Sequence, residues 1–78
     1  MAEKLGFRYD READILYIHR RPPYAEQESE ELGDDVVARM NPDTGEIENL
    51  EVLFFSARLN DEGGFSLPVA ARLSLAEE

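Results

Sequence analysis

The hydrophobic and polar positions near the start of the chain follow the two-residue period of a β-strand. Residues 5–10, LGFRYD, place an apolar side chain at every second position, as a strand does when one of its faces is wet. Residues 15–18 are then apolar without a break, which indicates a strand with apolar groups on both faces. Between them, residues 10–14 contain aspartates that favour turns. The pattern predicts a β-hairpin.

A hairpin loop of five residues, 10–14, fixes the register that we expect. The facing pairs are then Tyr9 with Ile15, Phe7 with Tyr17, and Leu5 with His19. This register places three aromatic rings on one face, where cross-strand aromatic pairs stabilise a sheet. It leaves Leu16 and Ile18 on the opposite face.

The middle of the chain reads as an exposed connection followed by a second hairpin. Proline has no N–H to donate, so Pro22-Pro23 ends the first ladder. Residues 25–35 contain six acids and no base, and they predict a solvated loop. A third strand (residues 36–40) and a fourth (46–55) flank the turn NPDTG, residues 41–45.

The end of the chain is less regular. Residues 56–60 can form a single helical turn with Ser56 as its N-cap. Residues 65–75 are apolar at every second position, which predicts a C-terminal edge strand. A helix beginning near Pro68 is the alternative, because proline is common in the first turn of helices.

These elements predict one domain, residues 1–78, of the α+β class and mostly β. The expected architecture is a small antiparallel sheet of about four to five strands, with at most one short helix. Two strands are apolar on both faces, yet no helix is long enough to cover the second face. A second copy of the chain is the cover that we expect, and the tail or a different protein are the alternatives. The residues predicted for this homodimer interface are Leu16, Ile18, Leu53 and Phe55.

Charge narrows the range of partners. Eighteen acidic residues against eight basic ones give a formal net charge of −10. Binding to nucleic acid depends on neutralising phosphates with Lys and Arg, so direct nucleic-acid binding is not expected. A basic protein is the electrostatic complement, whereas solubility alone is the simpler explanation of the charge.

The residue content also restricts location and cofactors. The absence of cysteine excludes disulfides and thiolate zinc sites, and it fits a reducing cytoplasm. No segment approaches the roughly 20 apolar residues of a membrane span, and the first residues do not resemble a signal peptide. We therefore expect a cytoplasmic protein with no membrane association and no cofactor.

Several short motifs resemble those of a small prokaryotic family, the domain of unknown function 2283. They are YDREADILYI (residues 9–18), DTGEIENLEVL (43–53) and SAR (56–58). The opening motif singles out Tyr9, Asp10, Glu12, Asp14 and Tyr17. Residues 7–59 resemble the family, and residues 60–78 form an extension outside it. The turn NPDTG, Asn49 in place of glycine and the order SAR depart from the family pattern.

The resemblance implies no reaction, because the family has no established activity. Some members are suspected to lie beside small RNase-like toxins, which implies an antitoxin-like role for an acidic member. The first hypothesis is therefore a non-enzymatic interaction module that self-associates and neutralises a basic partner.

The alternative hypothesis is a small metal-binding protein or enzyme. It would use the acidic turn, residues 10–14, together with His19, the one histidine of the chain. The simpler interpretation is that Asp10 and Asp14 accept hydrogen bonds from the turn's own amides. No serine has nucleophile-elbow spacing, and neighbouring acids such as Asp34-Asp35 would point to opposite faces of a strand. No catalytic or metal-binding residue is assigned.

Overall fold

The architecture is a five-stranded antiparallel sheet. The computed structural model describes residues 4–60 and 63–76. Within them the elements are β1 (Gly6–Asp10), β2 (Ile15–His19), β3 (Glu28–Gly33), β4 (Val36–Met40), β5 (Ile47–Leu53) and α1 (Phe55–Arg58). The strands lie in the spatial order β1-β2-β5-β4-β3, and every neighbouring pair is antiparallel. The predicted fold class, mostly β with one short helix, is confirmed.

The two faces of the sheet differ in chemistry. Alternate residues of each strand point to the same face. The core face carries the buried apolar side chains of the described residues, which are Val36, Ala38, Leu50 and Val52. The outer face carries a mixed polar and aromatic set that includes Arg8, Tyr17, His19, Arg39, Asn49 and Glu51.

The predicted register of the first hairpin is wrong by one residue. Asp10 remains in β1 and faces Ile15, so the loop holds the four residues 11–14. The Asp14 amide closes it by donating to the Asp10 carbonyl at 2.8 Å, and Asp14 adopts a left-handed φ of 59°. A shift of one residue exchanges the faces of a strand. Tyr17 therefore faces Arg8, away from Phe7 and Tyr9.

The acidic segment, residues 25–35, was predicted to be a loop, but it contains the strand β3. β3 pairs with β4 at the edge of the sheet, with a bulge between Glu31 and Gly33. A two-residue turn, Asp34-Asp35, joins the two strands with φ angles of 56° and 60°. Positive φ at both central positions matches the twist of a hairpin, and Asp tolerates it. β3 is therefore a strand of the sheet that the sequence analysis did not predict.

The turn predicted at residues 41–45 is confirmed. The Asn41 side-chain oxygen accepts from the amides of Asp43 (2.8 Å) and Thr44 (3.1 Å). Gly45 has a φ of 77°, a left-handed conformation that glycine adopts without strain.

The short helix begins earlier than predicted. It spans Phe55–Arg58, and its N-cap is Phe54, a left-handed residue with a φ of 54° and no capping side chain of its own. The predicted N-cap, Ser56, lies inside the helix. Phe54 also lies outside β5, so the predicted strand to residue 55 is too long.

The C-terminal tail forms neither the predicted edge strand nor the alternative helix. Residues 63–76 are irregular, but Leu67 and Val69 pack against the buried cluster of the core face. Period-two alternation fits this arrangement because an extended chain also buries every second side chain. The tail, one of the alternatives to a second copy, therefore covers part of the core face. Leu73 and Leu75 remain exposed.

Candidate functional site

Asp14 links the hairpin motif to the start of the helix. Its carboxylate accepts from the Tyr9 hydroxyl at 2.6 Å, the Ser56 hydroxyl at 2.7 Å and the Ser56 amide at 3.0 Å. Its main-chain carbonyl accepts from the amide of Phe55 at 3.1 Å. Asp14 thus supplies the N-terminal hydrogen bonds that Phe54 cannot supply to α1. We call Tyr9, Asp14 and Ser56 the Asp14 clamp.

Hydrogen bonding sets the ionisation of the clamp. The bonds from Tyr9 and Ser56 lower the pKa of Asp14 because they stabilise the carboxylate. The bond to Asp14 is also the main cause that raises the pKa of Tyr9, since the phenol must lose its donor to ionise. The clamp therefore holds a charged carboxylate and a neutral phenol at neutral pH.

The remaining acids of the motif act locally. The Asp10 side chain accepts from the amides of Glu12 (3.0 Å) and Ala13 (3.2 Å), which confirms the expected turn role for Asp10. The same expectation was wrong for Asp14, whose carboxylate accepts from Tyr9 and Ser56 and not from the amides of the turn. Glu12 is exposed and joins the turn through its amide.

Tyr17 and His19 lie on the outer face, away from the Asp14 clamp. The Arg8 guanidinium stacks on Tyr17, with its central carbon 4.2 Å from the ring centroid. Asp14 and His19 lie at opposite ends of β2, about 16 Å apart at the rise of a β-strand. Within the described residues, no group of three or more acidic or histidine side chains could hold a metal ion. The acidic turn and His19 do not form one site.

The predicted interface residues occupy three different places. Leu16 and Ile18 lie on the core face, where they face Val52 and Leu50 across the ladder. Leu53 lies on the outer face, because it is one residue from Val52 and three from Leu50, and only alternate residues of β5 share a face. Phe55 lies in α1 and makes edge-to-face ring contacts with Tyr9 (5.6 Å) and Phe65 (5.9 Å). A role in association stays a prediction, but these residues do not form one continuous surface.

The edges of the sheet have opposite character. The acidic edge, β3, presents Glu28, Glu30 and Glu31 as exposed side chains. The apolar edge is β1 with Leu5, where Phe7 is 62% exposed and Tyr9 is 42% exposed. Exposed strand edges offer backbone groups to a further strand. Both are therefore candidate interaction surfaces.

Sequence reasoning missed a buried carboxylate, Glu48, which is only 4% exposed. It is the extra residue of a bulge in β5, where Met40 faces Ile47 and Arg39 faces Asn49. The hydrogen bonds to it are donated by Tyr24 (2.7 Å), Gln27 (3.0 Å) and Asn41 (3.2 Å), and Arg21 lies at 3.3 Å. The only signal in the sequence was a charged residue next to Asn49 inside an apolar strand.

The ionisation of Glu48 follows from these contacts. The hydrogen bonds from Tyr24 and Gln27 lower its pKa from 4.5 to about 2, against the opposing effect of burial. Glu48 therefore joins the loop before β3 to the central strand as a carboxylate. Its role is structural, since its acceptor positions are occupied by the protein.

A family model covers most of the sheet and both ends of the Asp14 clamp. The model described as "Protein of unknown function (DUF2283)" matches residues 7–56. The chain belongs to this family. The DUF2283 match begins in β1 and ends at Ser56, so the tail lies outside it. No curated protein and no solved structure matches the chain. Among the described residues, no helix of this DUF2283 member is long and apolar enough to cross a membrane.

Proposed function

We propose that the protein is a non-enzymatic interaction module that binds a basic protein segment along its acidic edge. The observation that carries this proposal is β3, an edge strand whose exposed side chains are acidic on both faces. Glu28 and Glu30 face Met40 and Ala38 across the ladder, whereas Glu31 faces Val37. A partner strand with Lys or Arg at successive positions would therefore meet carboxylates above and below the sheet.

Charge also decides which partner fits this edge. Two copies of β3 would bring like charges together, which disfavours self-pairing there. The net charge of −10 adds a long-range attraction for a basic protein. Capping a basic partner's binding surface in this way would be an antitoxin-like role.

A synthetic strand with Lys at successive positions, flanked by Val, tests the proposal. We expect it to bind the protein and to shift the backbone NMR signals of β3 before those of other strands. Affinity should fall roughly tenfold between about 50 mM and 200 mM salt, because exposed charges are screened. An Asp/Val peptide of the same length should not bind.

Matched charge reversals separate the acidic edge from the overall charge. Glu30→Lys/Glu31→Lys should abolish binding of the basic peptide. Glu12→Lys/Glu46→Lys changes the net charge equally at exposed loop positions and should retain most of the affinity. Equal losses in both variants would contradict a specific edge site. An empty pull-down at low ionic strength, with the protein as bait in extract of its own host, would remove the antitoxin-like role.

Self-association is a second candidate property, favoured by the extent of exposed surface. The accessible surface is 6067 Å², whereas a folded monomer of 8.9 kDa is expected to expose about 4,800 Å². This excess includes the irregular tail, where Leu73 and Leu75 are exposed, and the apolar edge accounts for part of it. The apolar edge is the surface that fits a second copy.

Phe7→Glu tests this self-pairing. We expect the wild-type protein to show about twice the monomer mass of 8.9 kDa in sedimentation equilibrium, and Phe7→Glu to be monomeric. Ala13→Glu adds the same charge in the exposed hairpin loop and should remain dimeric. A wild-type monomer at high micromolar concentration would contradict self-association.

A further inference from the structure

A half-open cavity lies on the outer face of the sheet, away from the acidic edge and the Asp14 clamp. Its volume is about 640 Å³, within the range of sites that hold small molecules. Tyr17 and His19 of β2 and Asn49 of β5 form its floor. The loop after β2, from Pro22 to Ala25, forms one wall. The cavity is therefore framed by the rigid centre of the sheet.

Asn49 gives this cavity an unused hydrogen-bonding group. Its side chain is 94% buried, since it is only 6% exposed, and it lines the cavity. Its Oδ1 atom has no hydrogen-bond partner within the described residues. Buried amides are normally paired, because an unpaired one loses the hydrogen bonds that it makes in water. Oδ1 is closed to the cavity, so the group that Asn49 offers to a bound molecule is the N–H donor of Nδ2.

Arg8, Arg39 and Glu51 line the same cavity, which leaves these three side chains with an excess of one positive charge. Within the described residues, Arg8 stacks on Tyr17 and has no carboxylate partner within 4.0 Å. Arg39 uses its Nε atom to bind Glu51 at 2.6 Å, which leaves its terminal N–H groups for a further acceptor. Guanidinium groups suit phosphate and carboxylate, and stacking on an aromatic ring holds Arg8 in place.

We propose that this cavity binds a small anion that carries a flat ring. The anionic group would lie at Arg8 and Arg39, and Asn49 would donate a further hydrogen bond to the ligand from Nδ2. The Arg8 guanidinium covers one face of the Tyr17 ring, so the other face or the edge of the ring is the aromatic surface open to the flat group. A long polyanion is disfavoured, because the chain as a whole carries a charge of −10. This site is independent of the acidic edge.

Four probes test the chemistry: adenosine 5′-monophosphate, anthranilate, inorganic phosphate and adenosine. The first two combine an anionic group with a flat ring, and they distinguish a phosphate ligand from a carboxylate ligand. We expect one of them to bind at least about tenfold more tightly than phosphate or adenosine, with NMR shifts at the cavity residues. No binding by either, or equal binding of phosphate as an adventitious ion only, would overturn the proposal.

Asn49→Leu separates a ligand-binding role from a structural one. Leucine has a similar volume and removes an unpaired buried polar group, so the free variant should have a higher Tm than the wild type. The same variant should lose at least about tenfold in affinity for the probe that binds. A lower Tm, or unchanged affinity, would overturn the assignment of Asn49.

Arg8→Gln and Arg11→Gln form a matched pair for the charge. Both remove one positive charge from the hairpin, but only Arg8 lines the cavity. We expect Arg8→Gln to weaken binding about tenfold and Arg11→Gln to leave it nearly unchanged. Equal effects would show that overall charge, and not the cavity, attracts the anion, which would also overturn the proposal.

Discussion

Glu48→Leu is expected to lower the Tm by roughly 15 °C or more, the largest effect of any single substitution that we predict. Leucine would leave the hydrogen-bond donors of Tyr24, Gln27 and Asn41 without their acceptor, and it would remove the 3.3 Å ion pair between Arg21 and Glu48. Donors that stay buried without an acceptor destabilise more than the loss of an exposed pair. Thermal unfolding followed by circular dichroism measures the effect.

Two further glutamate variants make this prediction specific. Glu48→Gln keeps the shape and one acceptor oxygen, so it should fold with a smaller loss and give a readout if the leucine variant does not fold. Glu46→Gln changes an exposed glutamate two residues earlier and should shift the Tm by no more than about 2 °C. Similar Tm values for the two glutamine variants would contradict the role assigned to the buried carboxylate.

Glu48 also predicts how stability depends on pH. Its pKa in the folded protein is about 2, below the ordinary value of 4.5, so the folded state binds the proton less tightly than the unfolded chain. The stabilisation that Glu48 provides is therefore complete above about pH 4.5 and is lost as the pH falls toward about 2. Urea unfolding across this range should show a steeper acid loss for the wild type than for Glu48→Gln. The lowered pKa of Asp14 leaves a weaker acid loss in the variant.

Asp14→Ala is expected to give the second-largest loss, roughly 10 °C in Tm. The variant removes three side-chain hydrogen bonds to Tyr9 and Ser56, and it places alanine at a φ of 59°, which aspartate tolerates better. Asp14→Asn keeps a side-chain acceptor and should lose about half as much. Thermal unfolding measures both.

An independent signal distinguishes loss of the Asp14 clamp from general destabilisation. The bond to Asp14 raises the pKa of Tyr9, so Asp14→Ala should return that pKa toward 10.0 in an ultraviolet titration. Glu12→Ala removes an exposed carboxylate from the same loop and should change neither the Tm nor this titration appreciably. An unchanged Tyr9 titration in Asp14→Ala would refute the clamp.

The sequence predicted the elements that depend on local chemistry. NPDTG is a turn because Asn41 and Gly45 satisfy its geometry from within five residues. The first hairpin was found for the same reason, since Asp10 caps its own loop. Its register was missed by one residue, because Asp10 both caps the loop and remains in β1, where it faces Ile15. Because the loop is one residue shorter than predicted, Tyr17 lies on the face opposite to the predicted one.

The missed elements share a different cause. β3 is held at the edge by its backbone pairing with β4, and acidic side chains give no strand signal. The tail packs on the core face without hydrogen-bonding to a strand. Its alternation of apolar and polar residues therefore did not indicate strand pairing. Glu48 and Asn49 became important only through a bulge, which depends on the match between β4 and β5. Long-range pairing thus determined what local patterns left open.

The unlike edges of the sheet have a consequence for stoichiometry. If two copies join through β1, the result is a ten-stranded sheet whose free margins are both acidic. Repulsion between these acidic edges would stop association at the dimer, whereas a sheet with two apolar edges would add further copies and extend into a fibre. Such a pair would also present two equivalent docking positions, and a basic target with repeated sites would be held by avidity.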